Sequence, residues 1–351
     1  MKQVVLIQRD KTVSEMVAQA FAEFCSTDLR GKNVLVKPNM LRAAQPHEAV
    51  ITDPQLIKET VAFLLDRGAN VSVGDNPVPN YAYSEMQIAE QSGFLEASYG
   101  RFKNIGQHSV RVNPDSALLS DIYVSRDVLE CDILISLPKF RTHDLTMMTL
   151  AIKNQYGIIP GGLKPYIHSL FPKIEDFSQI LLEVYALRPP DLIMVDCLRC
   201  VDAKGQRFAP NTIVAGVNGH AVDYVCAQIA GIDPDFVPTL RIARERGLFL
   251  PSDIDVHGTL EKLRGYSLPF RFPFRNAVVE LVARILYHVW LHRTPVLDRS
   301  LCTQCLSCEA VCPVSAIKQQ VIDYSRCIKC YCCLEVCPEG AIEAKYRLWG
   351  S

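Results

Sequence analysis

Two closely similar cysteine runs lie near the end of this chain: CTQCLSCEAVCP at residues 302–313 and CIKCYCCLEVCP at residues 327–338. Each run has the spacing Cys-x2-Cys-x2-Cys-x3-Cys-Pro, and the second follows the first after a shift of 25 residues. The flanks repeat at the same offset, as Ser300 and Ser325 illustrate. This internal duplication predicts two copies of one supersecondary unit.

The spacing within each run is typical of cysteine ligands to [4Fe-4S] clusters. Short Cys-x2-Cys steps let one loop reach three corners of a cubane, and the fourth cysteine, before proline, ligates the other cluster. The sequence therefore predicts two [4Fe-4S] clusters as cofactors. The expected ligands are Cys302, Cys305, Cys308 and Cys337 for cluster one, and Cys327, Cys330, Cys333 and Cys312 for cluster two.

Other roles for the cysteines agree less well with the sequence. Zinc sites usually show Cys-x2-Cys knuckles separated by a longer spacer, which these runs lack. Cys332 occupies the position of Ser307 in the first run, and we interpret it as a packing residue. Cys197-x2-Cys200 has redox or metal-knuckle spacing but no second pair, so we interpret it as incidental. Three further cysteines have no assigned role: Cys25, Cys131 and Cys226.

The composition is that of an ordinary globular protein. The 351 residues suit one large and one small domain, and a formal net charge of -1 gives no support for nucleic acid binding. The apolar run at 4–7 is too short for a signal peptide, which favours a cytoplasmic location. The apolar segment 277–291 is interrupted by Glu280, Arg284 and His288, so no transmembrane segment is expected.

Short apolar runs alternate with helical patterns over the first 260 residues. Helices are expected at 14–24 and 54–66, the second with Asp53-Pro54 at its start and Gly68 after its end. Strands are expected at 4–7, 34–36, 71–73, 133–135, 192–195 and 213–217. The predicted fold class is α/β, a mainly parallel sheet domain with helices on both faces, plus a small α+β ferredoxin-like two-cluster domain.

Polar residues follow several of these strands, where ligands of parallel sheets gather. Cations, amides and imidazoles there are suited to a small anionic substrate. The candidates for catalysis are Lys139, His143 and His168. The candidates for substrate binding are Lys37, Asn39, Asp75, Arg141, Lys153 and Asn154. Each could instead be a solvated or core residue, and Asp75 and Asp196 could be helix caps or turn formers.

Several of these stretches resemble the signature blocks of the domain of unknown function 362 family. The blocks are VLVKPN at 34–39, TDP at 52–54, GD at 74–75, LPKFRTH at 137–143 and KNQYG at 153–157. The resemblance extends to about residue 260, and members often carry a C-terminal bacterial-type 2[4Fe-4S] ferredoxin domain. It implies an α/β domain over 1–262 and a ferredoxin-type domain over 296–346.

A linker and connector helix are expected over 263–295. The proline-punctuated stretch 268–275 is followed by an apolar helical stripe in a basic setting. We expect this stripe to dock the cluster module on the large domain. Peripheral contact with an anionic membrane is the alternative.

Three functions agree with these features. The leading hypothesis is an iron-sulfur oxidoreductase that relays single electrons between a soluble partner, such as a ferredoxin, flavodoxin or reductase, and a substrate in the α/β domain. The first alternative is a non-enzymatic ferredoxin-like carrier or docking partner of another redox protein. The second alternative gives the clusters a structural role only.

Overall fold

The computed structural model describes residues 2–77, 83–114, 116, 118–119, 121–269, 292–312, 314–329, 333–334, 337 and 339–347. Its strands are β1 Gln3–Arg9, β2 Asn33–Pro38, β3 Asn70–Asp75, β4 Phe102–Asn104, β5 Ser109–Val112, β6 Ile122–Ser125, β7 Ile133–Leu137, β8 Lys139–His143, β9 Met147–Thr149, β10 Leu192–Val201, β11 Arg207–Phe208, β12 Thr212–Gly216, β13 Ile254–His257, β14 His292–Leu297, β15 Ile317–Lys318, β16 Val321–Ile322 and β17 Ile342–Arg347.

The α-helices within the same ranges are α1 Val13–Phe24, α2 Pro54–Asp66, α3 Glu85–Gln91, α4 Phe94–Ala97, α5 Arg126–Glu130, α6 Ala151–Asn154, α7 Leu163–Leu170, α8 Ile174–Leu187, α9 Gly219–Ile229, α10 Pro238–Glu245 and α11 Ser307–Val311. Short 3-10 segments occur at Pro46–Glu48, Gln155–Ile158, Pro234–Phe236 and Pro251–Asp253.

One mixed sheet organises the first 257 residues. Its main path has the order β13-β1-β12-β10-β7-β2-β3-β4. Off this path, β8 and β11 pair with β10, and β9 pairs with β8. On that path only β12 is antiparallel to its neighbours, β1 and β10. The other adjacent pairs are parallel. The predicted mainly parallel sheet is confirmed.

Helices cover both faces of this sheet, as expected. One face packs against α1 to α4 through a core that includes Met16, Phe21, Leu56 and Ile57. The other face packs against a larger core supplied mainly by α6, α8, α9 and α10. Because both faces are buried, the central strands are apolar on both sides, which is why they were recognisable as continuous apolar runs.

The first two helices begin at local sequence signals, and the second also ends at one. A capping box joins Thr12 and Glu15 at the start of α1. The Asp53 side chain accepts from the backbone N–H of Gln55 at the start of α2, and Pro54 is the first helical residue. Beyond its end, Gly68 adopts a left-handed conformation with φ +74°. The predicted helix bounds are confirmed.

Residues 139–143 differ from the prediction. They were expected to form a polar stretch after a strand, but they form β8, which runs parallel to β10. Asp196 likewise lies inside β10 instead of following it. These expectations were wrong because buried cations and carboxylates interrupt the apolar pattern that marks a strand elsewhere in the sheet.

The last part of the chain forms a small α+β unit. Strands β14 and β17 pair in antiparallel fashion, β15 pairs with β16, and α11 packs with them around Val311, Ile317 and Ile342. Most of the predicted connector, residues 270–291, lies outside the described residues. The domain boundaries at 262 and 296 stay predictions. No helix within the described ranges has the length and apolar composition needed to cross a bilayer.

Candidate functional site

The strand order contains a topological switch point between β2 and β7. From β2 the chain continues to β3 on one side, whereas β7, on the other side of β2, leads on to β10. In doubly wound sheets, helix crossovers diverge at such a point, and a ligand-binding crevice is expected outside the carboxyl ends of the two strands. In the register of this pair, Lys37 lies opposite Ser136 and Pro38 opposite Leu137. Lys37 and Asn39 are thus brought to the switch point.

Lys37 and Asp75 form a buried ion pair beside this crevice. Lys37 Nζ lies 2.8 Å from Asp75 Oδ1, and the lysine side chain is 0% exposed. Asp75 Oδ2 accepts a hydrogen bond of 2.7 Å from the backbone N–H of Met40. Lys37 and Asp75, which were both predicted to bind substrate, therefore pair with each other.

A second buried pair joins Lys139 of β8 to Asp196 of β10, with 2.7 Å between Nζ and Oδ2. The same oxygen accepts from the backbone N–H of Asp53 at 2.7 Å, and Oδ1 accepts from that of Leu198 at 3.0 Å. Burial raises the pKa of Asp196, and the neighbouring Lys139 ammonium opposes this rise. Arg199 in turn pairs with Asp53, so opposite charges alternate along this edge of the sheet.

Asn154 connects the strands of the switch point to α6. Its Nδ2 donates to Ser136 Oγ at 3.0 Å, and its Oδ1 accepts from Asn39 Nδ2 at 3.3 Å. Asn39 Oδ1 is buried and has no hydrogen-bond partner in the described part of the chain. A buried amide oxygen without a partner is costly, so this atom is available to accept a hydrogen bond from a bound molecule.

Asp223, which the sequence analysis missed, holds α6 in place. From α9 it accepts hydrogen bonds from the backbone N–H groups of Ala151 at 2.8 Å and Ile152 at 3.1 Å. Burial raises its pKa to about 7, although both hydrogen bonds oppose the rise. It could not be recognised in the sequence because an aspartate inside a helix, more than 70 residues away, carries no local signal.

The remaining predicted residues lie on β8, α6 and α7. Arg141 is on β8 and Lys153 on α6. His143 Nδ1 accepts from the backbone N–H groups of Leu145 at 3.1 Å and Thr146 at 3.2 Å. Its neutral form therefore carries the proton on Nε2.

His168 lies in a different setting, on α7. Its ring stacks on Phe177 with centroids 4.0 Å apart and meets the Tyr156 ring edge to face. The structure thus brings Lys37, Asn39, Asp75 and Asn154 together by direct contacts. Lys139 and His143 lie on β8, and the His168 ring packs with those of Tyr156 and Phe177.

A separate cavity in the small domain is lined by four of the predicted cluster ligands: Cys302, Cys305, Cys308 and Cys337. The pKa of Cys308 is raised to about 11 by burial and by the neighbouring thiols of Cys305, Cys337 and Cys302. Four sulfurs this close repel one another as thiolates, and cluster iron would relieve that repulsion. The donor set thus fits the predicted cluster one.

The second predicted ligand set is described only in part. Cys312 and Cys327 are partly buried and Cys333 is buried, whereas Cys330 and also Cys332 lie outside the described residues. Cys312 Sγ accepts a hydrogen bond from the backbone N–H of Ala316 at 3.1 Å. The Sγ of its counterpart Cys337 accepts a hydrogen bond from the backbone N–H of Ala341 at 3.2 Å. The fourth cysteine of each run thus accepts the same kind of backbone hydrogen bond.

The cysteines of the α/β domain lie elsewhere. Cys197 and Cys200 are in side-chain contact near Cys226, and all three are fully buried. Burial raises the pKa of Cys197 and that of Cys226, which keeps these thiols protonated. No three His, Cys, Asp or Glu side chains within the described ranges form a group that could hold a single metal ion. Both Cys197 and Cys200 belong to the hydrophobic core of the α/β domain.

Comparison with known proteins agrees with this division. The family model described as Domain of unknown function (DUF362) matches residues 34–228, more than half of the chain. The chain is a DUF362 protein. A second model, the 4Fe-4S dicluster domain, matches residues 294–338. Both resemblances predicted from the sequence are confirmed, and this DUF362 protein carries an iron-sulfur domain.

A curated relative of this DUF362 protein is the thylakoid-associated protein sll1697 of Synechocystis sp. It is 27% identical over 224 residues, which cover 62% of this chain and 69% of the relative. Two solved structures match at lower similarity. One is a Thermotoga maritima protein with a TM-score of 0.41 and 12% identity over 63% of this chain. The other is the lactate racemase apoprotein of Thermoanaerobacterium thermosaccharolyticum, with a TM-score of 0.40 and 14% identity over 64%. The chain spans 58% and 57% of these proteins.

Gly157 offers a test of the Lys37–Asp75 pair. A Cβ atom there would lie within 3.0 Å of both Lys37 Nζ and Asp75 Oδ1. We expect Gly157→Ala to separate the pair and lower the free energy of unfolding by about 3 kcal/mol, as for other broken buried pairs. Denaturant unfolding under anaerobic conditions measures this. Gly162→Ala is the matched control, because nothing lies within 4 Å of its added Cβ; equal stability of both variants would contradict the prediction.

The raised pKa of Asp223 predicts that the stability of the protein depends on pH. Its folded pKa of about 7 exceeds the ordinary value of 3.8, so the folded state holds the proton more tightly. Its contribution is complete below about pH 4 and is lost as pH rises to about 7. Between pH 5 and 6, we expect the wild type to lose about 1.4 kcal/mol more unfolding free energy than Asp223→Asn. Exposed Asp66→Asn is the control and keeps the wild-type slope; parallel slopes for wild type and Asp223→Asn would contradict this role.

Proposed function

We propose that this protein is an iron-sulfur oxidoreductase. In this proposal two [4Fe-4S] clusters relay single electrons to or from a small anionic substrate held at the carboxyl ends of β2 and β7. The observation that carries the proposal is the convergence of Lys37, Asn39 and Asn154 at the switch point of a sheet whose chain also carries a dicluster domain. Covalent linkage raises the effective concentration of electron relay near the substrate site.

The eight predicted cysteines would hold the clusters, four sulfurs to each. When bound, the clusters supply one-electron transfer. Around the first set, the backbone N–H of Ala341 supports the sulfur of Cys337, and around the second that of Ala316 supports Cys312. These donors orient the ligand sulfurs and offset their charge.

The residues of the α/β domain would bind and protonate the substrate. Asn39 Oδ1 offers a buried acceptor, and we assign Arg141 and Lys153 to orient the anionic group. The Lys37–Asp75 and Lys139–Asp196 pairs keep the edges of the site in place. In a reduction, each electron that arrives needs one proton, for which the Nε2–H of His143 is the proposed donor. His168 is the second proposed proton donor.

The external electron partner is proposed to be a soluble ferredoxin, flavodoxin or reductase in the cytoplasm, where reducing conditions protect the ligand thiols. The competing location is a membrane surface, because a curated relative is thylakoid-associated. Flotation of the full chain with anionic vesicles distinguishes the two locations, because a protein that does not bind membranes stays in the soluble fraction.

A specific observation favours the carrier alternative. Lys37 and Lys139 are each neutralised by a buried aspartate, so neither presents a net charge to a substrate. Under this alternative the α/β domain is a docking surface for another redox protein, and no small molecule is turned over.

Electron transfer from the reduced full chain to small acceptors tests the proposal. After anaerobic purification, co-purifying small molecules are identified by mass spectrometry, and the dithionite-reduced protein is mixed with them and with reducible acceptors that carry a carboxylate or phosphate group, such as 2-oxo acids. We expect His143→Gln to slow reoxidation at least tenfold with cluster absorbance unchanged, because the proton donor is lost. Exposed His108→Gln is the control. If no small acceptor reoxidises the wild type but a partner protein does, the carrier alternative replaces the proposal.

A further inference from the structure

Ser307 contacts a predicted ligand sulfur, and the second cysteine run has Cys332 instead of a serine at the matching position. It is the first residue of α11, directly after Leu306, whose left-handed backbone (φ +61°) turns the chain. Its side chain is buried, and Cys305 Sγ donates a hydrogen bond of 3.3 Å to Ser307 Oγ.

The direction of this hydrogen bond reverses when Cys305 is an iron ligand. A free thiol can donate its proton, as in the contact described above. A cysteine ligated to iron is a thiolate, which only accepts. The Ser307 hydroxyl has one proton and two lone pairs, so it can turn and donate to the sulfur without moving its oxygen. The geometry for an O–H···S bond is therefore already present.

A donor at a ligand sulfur favours the reduced form of a cluster. Reduction adds negative charge, and part of it resides on the ligand sulfurs. A hydrogen bond to such a sulfur is stronger when the sulfur carries more charge, so it stabilises the reduced state more than the oxidised state. Hydrogen bonds to the sulfurs are among the factors that set the reduction potential of iron-sulfur clusters. Burial of Ser307 strengthens the effect because water does not compete.

The second repeat has no hydroxyl at this place. The 25-residue offset pairs Ser307 with Cys332, and a thiol is a weak donor. By contrast, the backbone donors match across the repeats: Ala316 donates to Cys312 at 3.1 Å and Ala341 to Cys337 at 3.2 Å. The residue before the third cysteine thus differs between the two runs, whereas the backbone donors to the fourth cysteines match.

We propose that Ser307 raises the reduction potential of the cluster held by Cys302, Cys305, Cys308 and Cys337 above that of the other cluster, and so gives the relay a direction. A single electron supplied by a soluble donor then rests on this first cluster, which is reduced by one electron while the donor is oxidised by one. This inference rests on the two-cluster part of the proposed function. It does not depend on which substrate, if any, the α/β domain binds.

Anaerobic redox titration of the full chain, followed by EPR, tests the inference. Dithionite with mediators supplies the electrons. We expect Ser307→Ala to lower the reduction equilibrium constant of one cluster about tenfold, a shift of about 59 mV for one electron, and to leave the other unchanged. The control is Ser300→Ala, whose hydroxyl is exposed and donates to Asp298 instead of a sulfur; both potentials should stay at wild-type values.

Two further variants keep the test decisive. Ser307→Thr retains the hydroxyl and should retain the wild-type potentials, whereas Ser307→Cys copies the second repeat and should bring the two potentials together. If Ser307→Ala does not retain iron, the Ser307→Cys comparison replaces it. Unchanged potentials in iron-replete Ser307→Ala or Ser307→Cys, or equal shifts of both clusters, overturn the inference.

Failure of the proposed function would look different. A wild type that turns over no small acceptor leaves the two potentials and their response to Ser307→Ala untouched, so only the enzyme assignment falls. A wild type that contains neither iron nor sulfide after oxygen-free preparation overturns both the cluster assignment and the role of Ser307.

Discussion

Two lysine–aspartate pairs buried at the carboxyl edge of the sheet constrain the rest of the α/β domain. A buried charge is tolerated only when it is paired and its remaining lone pairs are satisfied. Here the backbone N–H of Met40 completes the shell of Asp75, and those of Asp53 and Leu198 complete that of Asp196. The loops that follow β2 and precede α2 are therefore tied to the pairs, and Gly157 is required where the chain passes over one of them.

This constraint links packing to function. The two aspartates neutralise the two lysines, and the nearby amides of Asn39 and Asn154 are held in fixed positions by their hydrogen bonds. Rigid placement of this kind favours selective binding because little freedom is lost when a ligand arrives. The small domain differs, because its predicted ligand sulfurs would repel one another as thiolates and bound iron would relieve that repulsion. The charges of the two lysine–aspartate pairs are thus balanced within the chain, whereas those of the cysteine thiolates would be balanced by a cluster.

The sequence predicted most where the information is local. The repeated cysteine spacing, which predicted the iron-sulfur domain, and the Asp53-Pro54 start of α2 were recognisable because neighbouring residues act together. Lys37 and Asp75 were both identified, but their pairing depends on strand register across 38 positions, which a local pattern does not encode. The sequence did not predict strand β8, because its buried Lys139 and His143 are residue types more common in loops. Asp223 was not predicted because its hydrogen-bond partners lie more than 70 residues away in the sequence.

The pairing of β1 with β13 determines the edge at which the chain leaves the large sheet. These strands are parallel neighbours, so the first and last strands of the sheet share one side, and both run toward the carboxyl edge. The polypeptide consequently leaves the sheet at the edge that carries the switch point instead of the opposite one. Had the final strand been antiparallel, residues 258–269 would start at the opposite edge of the sheet. Strand polarity thus brings this segment back beside β8 and β10, where the carbonyl oxygen of Ser267 accepts from the backbone N–H of Ala203 and the Tyr266 ring meets that of Phe140.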